Sequence, residues 1–395
     1  MGSTRQWTGT DNISTSMFDA VLITPPSPFM ISDTVFPFLG VGYLSAVLKQ
    51  HGYHVEVVDL FTKDDHKPIP EANIYGITST SPNFPSAVKI LHRIREEHAG
   101  AWVVLGGPHA TVAPEDGLKA GFNQVVRYEG ENAILKIMAG DKSQIIQEPF
   151  IQDLDTIPFP DRQAIDMSRY SYQTLGVRAT SAISSRGCPY GCKFCCTAVW
   201  QRKPRYQSAE RTNAEIRSLY DMGFRGISWY DDEWFIRKAR DWQIAEQLKS
   251  LGMVWRVLTR SDLVNEEHIA HAAKCGLVEV FLGIESGSPR ILEAIGKKVT
   301  PDVHRKAIRI LKQNNVRIKT GFVIGLPGES YETIKETEEF IESVLPLDDV
   351  DFTILVPYPG SEVYDHAEEL GISFNRNTYA HYKGGPNNYI GVVST

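Results

Sequence analysis

Four of the chain's five cysteines fall within nine residues: Cys188, Cys192, Cys195 and Cys196. The fifth, Cys275, stands apart in the helical stretch Ile269–Lys274 and reads as a small buried residue. Cys188-Pro-Tyr-Gly-Cys192-Lys-Phe-Cys195 has C-x3-C-x2-C spacing and follows the apolar run Thr180–Ser184. Three thiolates on one tight loop can hold three irons of a cubane cluster. Iron–sulfur clusters usually take four cysteines, so an incomplete set leaves one iron open to another ligand. Gly187, Pro189 and Gly191 let such a loop wrap closely. A structural zinc site is the competing reading, although it usually wants a second ligand pair elsewhere. Cys196 could supply a fourth ligand, but neighbouring side chains point differently, and packing is the simpler role. An odd cysteine count in a long chain argues against a disulfide framework.

The elements around this loop repeat one pattern. In the first half, short apolar strands at Ala20–Thr24, His54–Asp59, Ile74–Thr78 and Trp102–Leu105 alternate with helical stretches at Gly42–Leu48 and Ser86–His98, and Val125-Val126 continues the series. That alternation predicts a parallel sheet covered on both faces. Ligands of such sheets lie beyond the strands' carboxyl ends, here Pro25-Pro26-Ser27-Pro28, Thr78–Ser81 and Gly106-Gly107-Pro108-His109. The prolines of Asp153–Pro160 suit a linker. Strands then begin near Thr180, Gly226, Val254, Leu277, Arg317 and Val350, with helices between them, for example Asn213–Met222 and Tyr331–Val344. Six strand–helix units predict a complete or partial barrel whose active face lies at the strand C-termini. The fold class is α/β: an N-terminal doubly wound, Rossmann-like sheet followed by a partial (β/α)6 barrel.

Composition sets limits. A chain of 395 residues with 42% hydrophobic and 23% charged residues is ordinary globular material, long enough for two or three domains. A net charge of −7 gives no bulk attraction to nucleic acid. No apolar run reaches the roughly 18 residues that span a bilayer, and the polar start lacks a signal-peptide core. A cytoplasmic protein without membrane or nucleic-acid partners is expected.

The cysteine loop and its surroundings resemble the radical S-adenosylmethionine (SAM) superfamily. Phe194 precedes the third cysteine, as in the family. The resemblance implies a [4Fe–4S] cluster on Cys188, Cys192 and Cys195, with SAM on the open iron. It implies SAM contacts from Phe194, from Asp231 or Asp232 in Tyr230–Glu233, from Arg260 in Leu258–Ser261, from Glu285 and Ser286 in Gly283–Gly287, and from Gly325 in Gly321–Gly328. Tyr230–Glu233 departs from the family's glycine–glycine–glutamate form. Each stretch alone has a bland reading, Glu285 or Ser286 as a helix cap and Gly325 as a turn residue.

Ahead of the barrel, Pro25-Pro26, Leu39-Gly40-Val41-Gly42-Tyr43-Leu44, Gly52–Val55 and Gly106–Thr111 resemble the cobalamin-binding domain of one large subclass. The resemblance implies cobalamin contacts from Pro25, Leu39, Gly40, Gly106, Gly107 and His109. The D-x-H-x-x-G cobalt-ligating pattern is absent: Asp64-Asp65-His66 starts like it, but Ile69 stands where glycine should be. The expected organisation is a lead-in over 1–16, a cobalamin-binding-like domain over 17–145, a linker over 146–170, the barrel over 171–365 and a tail over 366–395. The chain ends soon after Pro359-Gly360, so the substrate pocket is expected from the two domains, the tail or a partner chain. The expected activity is methylation of an unactivated carbon in a small molecule, with flavodoxin or ferredoxin as electron donor. The alternatives are a cyclising, ring-contracting or rearranging enzyme, an N-terminal sheet without cobalamin, and an iron–sulfur structural or sensing protein. Catalytic side chains and substrate are not assigned.

Overall fold

The computed structural model describes residues 18–28, 30, 32–196, 199–374 and 393–394. The lead-in and most of the tail, including Tyr379, Tyr382 and Lys383–Pro386, lie outside the described residues. The chain divides into two compact units. One comprises residues up to Ile151 together with Thr156–Tyr170, and the other comprises Gln152–Asp155 and the chain from Ser171 onward.

The first unit contains strands β1 (Phe18–Thr24), β2 (Val55–Asp59), β3 (Ala72–Thr78), β4 (Trp102–Gly106), β5 (Gln124–Arg127) and β6 (Ile145–Gln147). Its helices are α1 (Leu39–Gln50), α2 (Phe84–Glu97), α3 (Pro108–Val112), α4 (Pro114–Ala120) and α5 (Glu131–Met138). All strands pair in parallel in the order β2-β1-β3-β4-β5-β6. Ala20–Ile23 of β1 is buried at every position, as a strand covered on both faces must be. The order reverses between β1 and β3, and the neighbouring ends of β3 and β4 are tied together. Ser79 N–H donates to the Gly106 carbonyl at 2.9 Å, and His109 N–H donates to the Ser79 carbonyl at 2.9 Å. Residues 156–170 fold onto the same unit. Asp161 accepts from Ser45 at 2.9 Å and from Lys49 at 2.7 Å on α1, and Gly42 lets Pro160 lie against the helix.

The second unit carries β7 (Gln173–Thr174), β8 (Val177–Ala182), β9 (Ser185–Arg186), β10 (Arg205–Tyr206), β11 (Gly226–Trp229), β12 (Val254–Arg260), β13 (Leu277–Glu285), β14 (Arg317–Ile324) and β15 (Asp349–Ile354). Its helices are α6 (Ala209–Asp221), α7 (Lys238–Ser250), α8 (Glu266–Lys274), α9 (Pro289–Ala294), α10 (Pro301–Gln313), α11 (Tyr331–Val344) and α12 (Glu362–Asp365). Strands β8 and β11–β15 form the six-stranded parallel half-barrel expected from the sequence, and β7 adds an antiparallel edge on β8. Between β8 and α6 the chain makes a two-stranded antiparallel ribbon, β9 with β10, whose two strands flank residues 187–204. The cysteine loop is thus clamped at both ends, a feature that strands of two residues do not announce in sequence.

Candidate functional site

The short loop after β11 organises the barrel's carboxyl edge. Its three consecutive carboxylates hold three different backbone segments. Asp231 is buried and accepts from Ser184 N–H at 2.7 Å, Ser184 Oγ at 2.7 Å and Ser185 Oγ at 2.6 Å, which fixes the end of β8. Asp232 accepts from Gly187 N–H at 2.8 Å and anchors the first residue of the cysteine loop. Glu233 accepts from Arg260 N–H at 3.0 Å and so ties in the end of β12. Burial pushes both aspartates' carboxyls upward, and Glu233 up to about 8 against the opposing pull of Lys297 and Arg260.

Gly187 adopts φ +99°, and a Cβ there would lie 2.9 Å from the Lys203 carbonyl oxygen, so the loop can close only on glycine. Lys193 N–H donates to the Ile295 carbonyl and its own carbonyl accepts from Val363 N–H, seating the loop on two helix ends. Phe194 packs against the apolar cluster of Ile291, Leu292, Ile295, Leu326 and Leu355. The Arg260 guanidinium lies 3.9 Å above the Tyr190 ring, with Nη1 3.5 Å from Cys192 Sγ, and Asp262 grips it at 2.9 Å. Burial, reinforced by neighbouring thiols and carboxylates, pushes the Cys188 thiol up to about 12. Three thiols crowded beside Asp232 and Glu233 are a donor set whose anionic form needs a cationic group, and an iron–sulfur cluster fits that requirement. Cys196 turns the other way and donates to the Pro359 carbonyl at 3.2 Å.

Glu285, at the end of β13, takes φ +66°, and its carboxylate meets Lys297 Nζ at 2.9 Å. Both side chains are largely buried. Ser286 is spent internally: its hydroxyl pairs with Thr337 Oγ1 at 3.1 Å and accepts from Ser288 N–H at 3.1 Å. Gly325 has φ +89° and donates its N–H to the Glu329 carboxylate. Sequence reasoning missed Glu233 and Lys297. A signal for Glu233 was present, because it occupies the glutamate position of the family's glycine–glycine–glutamate stretch.

In the first unit the strand ends and the start of α1 hold two kinds of position. Pro25 and Leu39 are buried, whereas Gly40 is exposed and a Cβ on Gly40 or Gly106 would meet nothing within 4 Å. That open room is what a broad, flat ligand requires. Gly107 has φ +91°, and a Cβ there would sit 2.7–2.8 Å from Thr78 Oγ1 and the Ser79 backbone, so Gly107 serves the β3–β4 junction. His109 is fully buried, with Nδ1 3.0 Å from Ser81 Oγ and its ring 4.2 Å from that of Phe84. His66 is exposed on the loop after β2.

Burial holds the His109 imidazole down at about 4, against the Asp116 carboxylate. A base depressed on folding contributes stability that is complete above its unfolded value of about 6.5 and lost as pH falls toward 4. At about 1.4 kcal/mol per pH unit the loss approaches about 3 kcal/mol. Hydrogen exchange of β3 and β4 between pH 7 and 4.5 should show this slope in wild type and a flatter one in His109→Leu. Equal slopes would mean that His109 does not carry it.

Residues 182–341 match the radical SAM superfamily, and residues 32–137 match the B12 binding domain. The chain is 30% identical to an uncharacterized methyltransferase of Pyrococcus horikoshii, over 88% of this chain and 82% of that one. It is 28% identical to an anaerobic magnesium-protoporphyrin IX monomethyl ester cyclase of Rubrivivax gelatinosus, over 85% of this chain, and spans 66% of that relative's length. The fold is shared with the radical SAM methyltransferase TsrM from Kitasatospora setae, solved with cobalamin and a [4Fe–4S] cluster bound: TM-score 0.70 at 17% identity, over 91% and 80% of the two chains. The chain therefore belongs to the radical SAM superfamily, in the branch with a B12-binding domain, and is a radical SAM enzyme. Its cofactors are a [4Fe–4S] cluster, SAM and cobalamin. No described helix is long and apolar enough to cross a membrane.

Proposed function

We propose that this chain is a cobalamin-dependent C-methyltransferase acting on an unactivated carbon of a small molecule. The observation that carries the reading is a three-thiol loop at the half-barrel's carboxyl edge, with Cys196 turned away from it, in a chain that also carries a B12-binding domain. Cys188, Cys192 and Cys195 hold the cluster, and Arg260 sets a cation beside it. Glu285 offers a carboxylate for the SAM ammonium or ribose hydroxyls, while Glu233, raised to about 8 and bonded to the Arg260 amide, acts with Asp231 and Asp232 by fixing the backbone. Phe194 seats the loop, and Gly325 and Ser286 shape the neighbouring turns. When bound, the cluster would supply the electron for reductive cleavage of SAM, and cobalamin would supply a methyl group for carbon that has no lone pair for ordinary alkylation. A flavodoxin or ferredoxin in the cytoplasm supplies the electron.

Pro25, Gly106 and Gly107 at the strand ends and Leu39-Gly40 at the start of α1 would hold cobalamin, and His109, committed to the core, would not serve as its cobalt ligand. Nitrogen superhyperfine splitting in the cob(II)alamin spectrum, abolished in His109→Ala, would contradict this. The test of function is SAM labelled with a deuterated methyl group, offered with candidate metabolites to the reconstituted enzyme. A product carrying the label is the expected result. A cyclised or rearranged product without label would shift the reading to the cyclase type, to which the Rubrivivax relative belongs by name.

A further inference from the structure

On the outer layer of the half-barrel, three side chains converge that the radical chemistry does not use. His271 and Cys275 are four residues apart at the end of α8, a spacing that stacks them on one face of a helix. Glu246 approaches from α7. Cys275 Sγ lies 3.6 Å from Glu246 Oε1 and 3.7 Å from His271 Nε2, and His271 Nε2 lies 3.5 Å from the same Oε1. The donor atoms therefore form a nearly equilateral triangle.

We propose that Glu246, His271 and Cys275 form a second metal site that takes a tetrahedral, borderline-soft divalent cation, Zn2+, and joins α7 to α8. With zinc bonds near 2.3 Å to sulfur and 2.0–2.2 Å to nitrogen and oxygen, the edges of a coordination tetrahedron measure about 3.3–3.6 Å. The observed triangle matches one face of it to within a few tenths of an ångström. One thiolate and one carboxylate balance the ion's charge, the neutral imidazole completes the protein set, and water takes the fourth position. Glu246 is half exposed, which leaves a path for both ion and water. Lys249 lies at the other carboxylate oxygen, Oε2, 3.6 Å away, and leaves Oε1 to the site. The ring plane is preset, because His271 stacks on Trp242 at 4.2 Å and 18°. Binding displaces the proton of the Cys275 thiol to solvent and involves no electron transfer.

The location separates this site from the cluster. Trp255, near the start of β12, donates its indole N–H to the Cys275 carbonyl at 2.8 Å, so the triad sits at the amino edge of the strands. The cysteine loop sits at the carboxyl edge. Groups at the amino edge of a barrel serve stability, and this metal is a staple between helices.

The test uses the cluster-loaded full-length protein, exposed to Zn2+ and passed over a chelating resin. Metal analysis should find one zinc per chain, and X-ray absorption at the zinc edge should find one sulfur neighbour. Cys275→Ala and Glu246→Gln should each weaken zinc binding by more than the roughly 10- to 100-fold that loss of a mere outer partner costs, with iron content unchanged. Glu246 is half exposed, so its variant tests the site without disturbing the core. Substoichiometric zinc in the wild type, zinc without sulfur, or zinc retained in either variant would overturn the proposal.

Discussion

Cys188→Ala, Cys192→Ala and Cys195→Ala should each abolish cluster loading and reductive formation of 5′-deoxyadenosine, whereas Cys196→Ala should leave both intact. Iron and sulfide content and chromatography of the cleavage product measure the outcome. The contrast rests on direction. Cys192 faces Arg260 at 3.5 Å, while Cys196 is bonded to the Pro359 carbonyl. A pH dependence accompanies it. Burial raises the Cys188 thiol to about 12, so without metal it keeps its proton at neutral pH, and every thiol ligand gives up its proton to bind iron. Iron must displace those protons, and apparent loading affinity should rise as pH rises from 7 to 9. Full cluster content in Cys192→Ala, or loss of the cluster in Cys196→Ala, would refute the assignment of the three ligands.

Lys297→Met should destabilise the barrel by about 3–5 kcal/mol, the cost of leaving a buried charge without its partner. Lys297 contacts Glu285 at 2.9 Å and is the leading charge that opposes the burial of Glu233. Its removal leaves the Glu285 carboxylate at the end of β13 without its cation and pushes the Glu233 carboxyl of the β11 loop further up. Hydrogen exchange of β12 and β13 in the full-length protein is the readout, because it reports this unit alone. The double variant Lys297→Met with Glu285→Met should recover much of the loss, since a well-packed apolar pair can replace a buried ion pair. A single-variant effect under about 0.5 kcal/mol would show the pair to be dispensable.

Much of this architecture was legible in the sequence. Four of the six barrel strands begin at the residue where the apolar runs place them, and β8 and β15 begin three and one residues earlier, at Val177 and Asp349, because strand burial and strand–helix alternation are local signals. Arg260 and Glu285 fall at strand ends as the motifs imply. What was not legible is direction and long-range pairing. Asp231 and Asp232 are acidic residues at a strand end, and nothing local reveals that they turn inward to hold Ser184 and Gly187 across more than 40 positions of chain. Lys297 sits in Gly296-Lys297-Lys298, where adjacent lysines carry no mark of which one is buried. The conformation of Gly107 was hidden for the same reason. A glycine beside another glycine suggests room for a ligand, while its true constraint is the Ser79 backbone from a different strand.

The ribbon of β9 and β10 bears on how the enzyme is matured. Residues 187–204 form a loop whose ends are already held by Arg186 and Arg205, and whose first amide is held by Asp232. Loop-closure entropy grows only as about (3/2)RT ln n, and pairing of β9 with β10 would meet that cost without a contribution from iron. Inserting a cluster then reorganises a short tethered segment and leaves the parallel sheet as it is. An iron–sulfur donor would therefore meet a loop whose two ends are already paired, a local target that does not call for unfolding the sheet.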